Sequence, residues 1–320
     1  MYIALLAAAL LVGTLLAVQA SVNLQLNRAV GTPYGASTLQ LTVAAVLLAV
    51  LAAATGSLGA LQGLSDVTWW HLLGGLASPL YITSGILLIP RLGALTTVGL
   101  WVTGQMLASL VLDLGGFIGV KQVPVNVLIV LGAALVLVGI SVIVRSINQG
   151  VKAGPGTAVA SDARPALSTQ LGWLLLGVVA GGVLPVQGAV NALLRHELKA
   201  PLTVATISFV VAVIAIALVL VVLVATKRTP KPKFGPLREM PWWGWLGGAC
   251  AATYVTVTFL LIPEIGAATT VAFTVAGQQL ASVVIDQYGL FRLPRRPLTG
   301  ARIAGVVLLL IGSVLVQVAK

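Results

Sequence analysis

The chain has 320 residues, of which 59% are hydrophobic and only 8% are charged, and its formal net charge is +11. Soluble domains carry about 25% charged residues, so this chain lacks the polar groups to cover a water-exposed surface, and a soluble protein is excluded. The Lys and Arg residues lie in short segments between long apolar runs, a pattern typical of a membrane topology signal rather than of nucleic-acid binding.

Long apolar runs follow one another along the chain, and a membrane-spanning helix needs about 20 such residues. They predict ten helices, over roughly 2–22, 34–56, 70–90, 93–113, 124–145, 171–191, 201–225, 242–262, 266–286 and 300–318. Strands are not expected, because membrane barrels show short alternating segments. The predicted fold class is an all-α integral membrane protein with ten transmembrane helices.

An internal repeat relates the two halves of the chain. IPRLGALTT at 89–97 matches IPEIGAATT at 262–270, an offset of 173 residues. VQASVN at 18–23 matches VQGAVN at 186–191, an offset of 168 residues. The offset changes between helices 7 and 8, where a basic segment lengthens the second copy. The similarity indicates a duplication, beyond what a shared apolar composition would produce.

The duplication predicts three regions. These are a first five-helix repeat at 1–148, a Gly/Ala/Pro/Ser-rich linker at 149–169 and a second five-helix repeat at 170–320. Because five is odd, the second repeat enters the membrane from the opposite side, and the repeats form an inverted pair. Many transporters use such pairs for alternating access.

The distribution of cations predicts the orientation, because Lys and Arg are favoured on the cytoplasmic face. One side of the predicted topology holds Arg28, Arg91, Arg145, Lys152, Arg164, Lys227, Arg228, Lys231, Lys233, Arg238, Arg292, Arg295, Arg296 and Arg302. The other side holds Lys121, Arg195, Lys199 and Lys320. We therefore expect both termini outside, with loops 1–2, 3–4, 5–6, 7–8 and 9–10 in the cytoplasm.

Two segments carry a family resemblance: QASVNLQLNRAVGTPYGAS at 19–37 and VQGAVNALLRHELKAP at 186–201. With the inverted, fused halves, the chain resembles the YdcZ-like inner-membrane exporters of the drug/metabolite transporter superfamily over nearly its whole length. The resemblance implies an inner-membrane carrier but no defined substrate. Related small multidrug exporters exchange protons through a glutamate in helix 1. This chain has no acid in helix 1 or helix 6, so that mechanism does not carry over.

Helix 1 carries two amides, Gln19 and Asn23, on one face at i, i+4. Helix 6 repeats them as Gln187 and Asn191. They are candidate substrate-binding residues at the interface of the halves. The alternative is interhelical hydrogen bonding, worth about 1 kcal/mol per contact. Pro185, beside Gln187, favours the functional interpretation because it frees a backbone carbonyl.

Helices 4 and 9 carry matching polar stripes at i, i+4 and i+8. The stripes are Gln105, Ser109 and Asp113 in the first half and Gln278, Ser282 and Asp286 in the second. The glutamines are candidate substrate-binding residues. The serines and aspartates are candidates for a gate or for proton coupling, one carboxylate at each side of the membrane. The alternative is that both aspartates are interface residues partnered by loop cations.

Three aromatic residues lie in mid-span: Tyr81, Tyr254 and Trp101. They are candidate cavity walls, because a hydroxyl in the membrane needs a partner and a ring can stack on a ligand. Core packing is an equal alternative. Two histidines without a partner at ligand spacing and the single Cys250 predict no metal site and no cofactor, and an enzyme is not expected.

The predicted function is a secondary carrier, more specifically an exporter, of small organic solutes by alternating access. Spans without a midplane charge favour neutral, zwitterionic or amphipathic solutes for efflux. The expected partners are the lipid bilayer and a small-molecule solute, without nucleic acid, and the chain acts as a monomer or homodimer. A non-transporting membrane scaffold or accessory subunit is the alternative, and a membrane-embedded enzyme a weaker one.

Overall fold

The computed structural model describes residues 1–150 and 167–319. In these ranges the chain forms ten α-helices and no strand: α1 Tyr2–Val30, α2 Pro33–Ala54, α3 Ala77–Leu92, α4 Ala94–Gly115, α5 Val127–Gly150, α6 Leu167–Leu198, α7 Pro201–Ala225, α8 Leu246–Ile265, α9 Ala267–Tyr288 and α10 Gly300–Val318. Short 3₁₀ segments occur at Ser57–Asp66, Trp69–Leu76, Gly235–Arg238, Trp242–Trp245 and Leu290–Arg292. Most of the predicted linker lies outside the described residues.

Nine segments of the described chain are long and apolar enough to cross a membrane. They are Tyr2–Val30, Pro33–Ala54, Trp69–Leu92, Ala94–Gly115, Val127–Ser146, Gln170–Leu198, Pro201–Ala225, Trp242–Ile262 and Gly300–Val318. The protein is therefore an all-helical, multi-pass membrane protein. Helix α9 is not among the nine, and its sequence includes Gln278, Gln279 and Asp286. The tenth span and the inversion of the repeats stay predictions.

Helix α1 is longer than its apolar run, which ends near residue 22, and reaches Val30. The extension carries polar side chains that are nevertheless buried, including Asn23 and Gln25. Gln25 Nε2 donates to the carbonyl oxygen of Phe291 at 2.8 Å. A partner distant in the sequence satisfies the amide, so this polar extension of the helix can be buried.

Helices at corresponding positions of the two halves make matched contacts. Helix α4 packs on α6, and α1 packs on α9; α2 packs on α7, and α5 on α10. Gly104 of α4 lies against the carbonyl oxygen of Val178, and Gly277 of α9 lies against that of Leu10. A Cβ at either glycine would collide with backbone, so these residues allow the helices to approach closely. The packing of α4 on α6 places both helices in the wall of one of the cavities described next.

Candidate functional site

A cavity of about 440 Å³ lies between α1, α2, α3, α6, α7 and α8. Its walls include five of the predicted site residues, namely Gln19, Tyr81, Gln187, Asn191 and Tyr254. The volume falls within the roughly 300–1,000 Å³ of small-molecule pockets. We call this space the amide cavity.

A second cavity, of about 490 Å³, lies beside α4 and is lined by the predicted stripe of Gln105, Ser109 and Asp113. We call it the carboxylate cavity. Gly188 and Tyr254 belong to the walls of both cavities. The two spaces therefore adjoin, and together they are lined by predicted polar residues of α1, α4 and α6.

The amides of the amide cavity differ in how far they are satisfied. Gln187 Oε1 accepts from Ser78 Oγ at 3.1 Å, and Gln187 Nε2 donates to Ser208 Oγ at 3.2 Å. Asn191 Nδ2 also donates to Ser208 Oγ, at 3.2 Å. Gln19 is buried, and its Oε1 has no hydrogen-bond partner among the described residues. An unsatisfied buried acceptor costs about 1–3 kcal/mol, so Gln19 Oε1 is the amide atom best placed to accept from a ligand.

Five predicted site residues line neither cavity: Asn23, Trp101, Gln278, Ser282 and Asp286. They are buried in packed protein instead. Trp101 Nε1 donates to Ser84 Oγ at 3.0 Å, and its ring lies 4.3 Å from that of Tyr81. Gln278 Nε2 donates to the Tyr81 hydroxyl at 3.3 Å. Trp101 and Gln278 thus pack around Tyr81 and do not border a cavity. We call Trp101, Gln278 and Tyr81 the closed layer.

Asp286, in the last turn of α9, closes one end of the bundle. Its Oδ1 accepts from the backbone N–H of Ala94 at 2.8 Å, and its Oδ2 accepts from that of Leu95 at 3.2 Å. Arg302 Nη2 donates to the same Oδ2 at 3.1 Å, and both side chains are buried. The carboxylate thus binds the positive end of the α4 dipole and a guanidinium together. We call this region the Asp286 end.

A second arginine fixes the loop after α9 to the turn between α3 and α4. Arg296 Nη2 donates to the carbonyl oxygens of Pro90 at 3.3 Å and Arg91 at 3.2 Å. Arg302 Nη1 donates to the Arg296 carbonyl at 3.0 Å. Burial lowers the pKa of Arg296, which lies outside the spanning segments, while the nearby Asp286 charge opposes that shift. The Asp286 end is therefore tied together by charge and by backbone hydrogen bonds.

Asp113, at the matching position of α4, lies in a different setting at what we call the Asp113 end. It is half-buried in the wall of the carboxylate cavity, and Ser109 Oγ donates to its Oδ2 at 3.3 Å. Counting back 173 residues from Arg302 leads to Ile129. Ile129 and Arg302 also occupy the same place at the start of α5 and α10. In each case the backbone N–H donates to the side chain of the residue just before the helix, so the two positions correspond. The Asp113 end thus has an isoleucine where the Asp286 end has an arginine.

The two carboxylates lie at opposite ends of α4. Asp286 binds its first residues, Ala94 and Leu95, whereas Asp113 belongs to its last turns. The rise of an α-helix puts Ala94 and Asp113 about 28 Å apart along the axis. One end is closed over a buried carboxylate, and the other borders open space.

Two cations that the sequence analysis assigned only to topology belong to this site. Arg302 holds Asp286, and Arg195 lines the amide cavity. Neither has a charged counterpart in the other half, so the repeat does not point to them. The spacing of Arg195, four residues after Asn191 on α6, is the signal that could have found it.

Comparisons with known proteins agree with this architecture. A family model described as "Putative inner membrane exporter, YdcZ" matches residues 4–142 and 172–315. A solved structure described as "Crystal structure of protein" aligns with a TM-score of 0.55 and 16% identity, over 97% of this chain and 96% of that chain. At that identity the likeness indicates the fold alone. No curated protein matches the chain.

Proposed function

The chain belongs to the YdcZ inner-membrane exporter family, and from that premise we propose that it is a secondary carrier that exports small organic solutes. In this proposal two inverted five-helix repeats alternate between access to one side of the membrane and access to the other. The solute enters the joined amide and carboxylate cavities, and the Asp286 and Asp113 ends act as the two gates.

One observation carries the proposal: the matched carboxylates take opposite arrangements in a single structure. Asp286 is buried against the start of α4 and Arg302, and Asp113 borders a cavity. An inverted repeat supplies both arrangements from similar sequence, because each half can adopt the conformation of the other. The matched contacts of α4 with α6 and of α1 with α9 support the same relation.

The alternate state follows by exchanging the roles of the two halves. Asp286 leaves the start of α4, and Asp113 binds the start of α9. The Gln278–Tyr81 hydrogen bond opens, and Gln105 bonds to Tyr254. On the predicted topology the Asp286 end faces the cytoplasm, so the described arrangement is open to the outside. Export then requires the inward-open state to load solute from the cytoplasm.

A scaffold is the alternative, and the interior argues against it. A scaffold gains nothing from two adjoining cavities or from a buried amide oxygen without a partner, since an unsatisfied polar group costs stability. A carrier needs such a group to bind its solute.

The described residues hold no cluster of three or more His, Cys, Asp or Glu side chains that could bind a metal ion.

The single cysteine of the chain makes a direct test possible. In a Cys250→Ala background, Ser109→Cys and Ser282→Cys place a thiol at matched positions of the two stripes. A membrane-impermeant maleimide, applied to oriented vesicles from either side, should label Ser109→Cys from outside. It should label Ser282→Cys only from the cytoplasmic side and in a smaller fraction.

Adding Asp286→Asn should weaken the closed gate, raise labelling of Ser282→Cys and lower that of Ser109→Cys together. Such opposite changes at two positions on different helices require one equilibrium between two states. If the mutation leaves both labelling rates unchanged, alternating access is wrong and the scaffold alternative gains support.

A further inference from the structure

Helix α6 presents a polar stripe to the amide cavity that ends in a charge. Gln187, Asn191 and Arg195 are spaced by four residues and all line the cavity. Each step advances about 6 Å along the helix. The stripe therefore runs from the middle of the helix to its last turn, where Arg195 is half-buried.

The charge is special to the second half of the chain. The corresponding stripe of α1 is Gln19, Asn23 and Asn27, so an asparagine stands where α6 has Arg195. On the predicted topology Arg195 also lies on the outer side, which holds 4 of the 18 cations. The positive-inside rule does not favour a cation there. Neither the repeat nor the topology therefore accounts for Arg195, which lines the amide cavity.

The rest of the amide cavity is neutral at neutral pH. Among its described lining residues Arg195 is the sole charged side chain, and most of the others are apolar, such as Leu184 and Phe209. A guanidinium beside a low-dielectric space attracts an anion more strongly than it would in water. Its planar fork also matches the two oxygens of a carboxylate.

The adjoining carboxylate cavity sets the orientation of such an anion. Asp113 lines that space, and its charge repels a second carboxylate. The acidic group of a ligand is therefore directed towards Arg195, and its apolar body towards Leu184 and Phe209. Gln19 Oε1, buried without a partner, accepts from an N–H or O–H on that body.

We propose, on the basis of the proposed carrier function, that the solute is an amphipathic organic monoanion: an apolar body with one carboxylate, which Arg195 binds. The cavity of about 440 Å³ limits it to an ordinary small molecule. Arg195 is then the residue that determines selectivity for acids over neutral and basic solutes.

The test compares three probes with one body and different charge: 4-phenylbutyrate, 4-phenylbutyramide and 4-phenylbutylamine. Binding is measured by calorimetry and by thermal shift on the full chain in nanodiscs at neutral pH. The acid should bind about tenfold more tightly than the amide, a ratio that one charge-assisted hydrogen bond to carboxylate can supply. The amine should bind more weakly than either, because Arg195 repels it.

Matched variants assign the preference to one residue. Arg195→Gln should bring the ratio of acid to amide affinity close to one, whereas Arg195→Lys should keep part of the preference. Lys121→Gln removes an exposed cation from the same predicted face and should leave the ratio unchanged. The thermal midpoint without ligand checks that each variant is folded.

An acid that binds no more tightly than the amide would overturn the assignment, as would a preference that survives Arg195→Gln. Tightest binding of the amine would overturn it in favour of a cation at Asp113. The cysteine-labelling test uses no solute, so its result is separate. If the labelling shows exchange between the two access states and the acid binds no more tightly than the amide, the carrier function is supported and the proposed solute class is wrong.

Discussion

The Asp286 end and the Asp113 end carry the same polar stripe but are built differently around it. At the Asp286 end the carboxylate is 1% exposed and accepts from two backbone N–H groups and Arg302. At the Asp113 end the carboxylate borders a cavity of about 490 Å³. Duplication preserved the stripe, and the neighbours of the stripe decide which end is closed.

Two differences between the halves accompany this contrast. Arg302 corresponds to Ile129, so the buried cation that binds Asp286 has no counterpart at the matching position of the Asp113 end. Trp101 corresponds to Thr274, which bonds back to the Val271 carbonyl in its own helix. Trp101 fills the space beside Tyr81, and no residue of that size stands at the matching position beside Tyr254. The comparison teaches that two halves with matching polar stripes can surround them with different packing.

The largest effect is expected from removing the buried carboxylate. Asp286→Ala leaves Arg302 buried without its acid, and breaking a buried ion pair in this way costs about 3–5 kcal/mol. Asp113→Ala should cost at most about 1 kcal/mol, because its side chain borders open space. Unfolding of both variants by denaturant in the same detergent measures the difference. Equal losses would mean that the two ends are alike in energy.

A smaller effect, equal in both halves, is expected at the close helix contacts. Gly104→Val and Gly277→Val each place a side chain against the backbone of a neighbouring helix. Overpacking of this kind costs about 1–3 kcal/mol. The two thermal midpoints should fall by similar amounts, since the halves are matched here. A loss confined to one variant would limit the matched packing to one half of the molecule.

The last prediction concerns the balance between the two ends rather than stability, and it exchanges the two differing residues. Arg302→Ile with Ile129→Arg moves the cation from the Asp286 end to the Asp113 end. The ratio of Ser109→Cys to Ser282→Cys labelling should fall about tenfold, which corresponds to about 1.4 kcal/mol. Ile129→Arg alone is the control, because it adds a charge and leaves the Asp286 end intact. An unchanged ratio in the double variant would show that Arg302 does not set the balance.

The helices could be predicted from the sequence, whereas several of their ends could not. Apolar runs located all ten helices of the described chain, because a spanning helix must show a long apolar sequence. The end of α1 escaped prediction, since Gln25 is satisfied by Phe291, 266 residues away. No local pattern reports such a partner.

The candidate site was predicted in part. Gln19 and Gln187, expected at the interface of the halves, and Tyr81 and Tyr254, expected as cavity walls, line the amide cavity. Gln278 was expected to line a cavity and lies instead in the closed layer. Because Gln105 and Gln278 occupy equivalent positions of the repeat, the repeat predicts the same role for both. It does not indicate that Gln105 lines a cavity while Gln278 is buried in packed protein.

The membrane class, the helices, the family and the matched polar positions could all be predicted from the sequence alone. These follow from composition, from the length of apolar runs and from the repeat, which are all local or periodic properties of the chain. The packing of the helices buries Asp286 while Asp113 borders a cavity, and it adds Arg195 and Arg302 to the candidate site. Those outcomes depend on helices far apart in the sequence that meet in the bundle, and a buried charge is stable only where such a meeting supplies its partner.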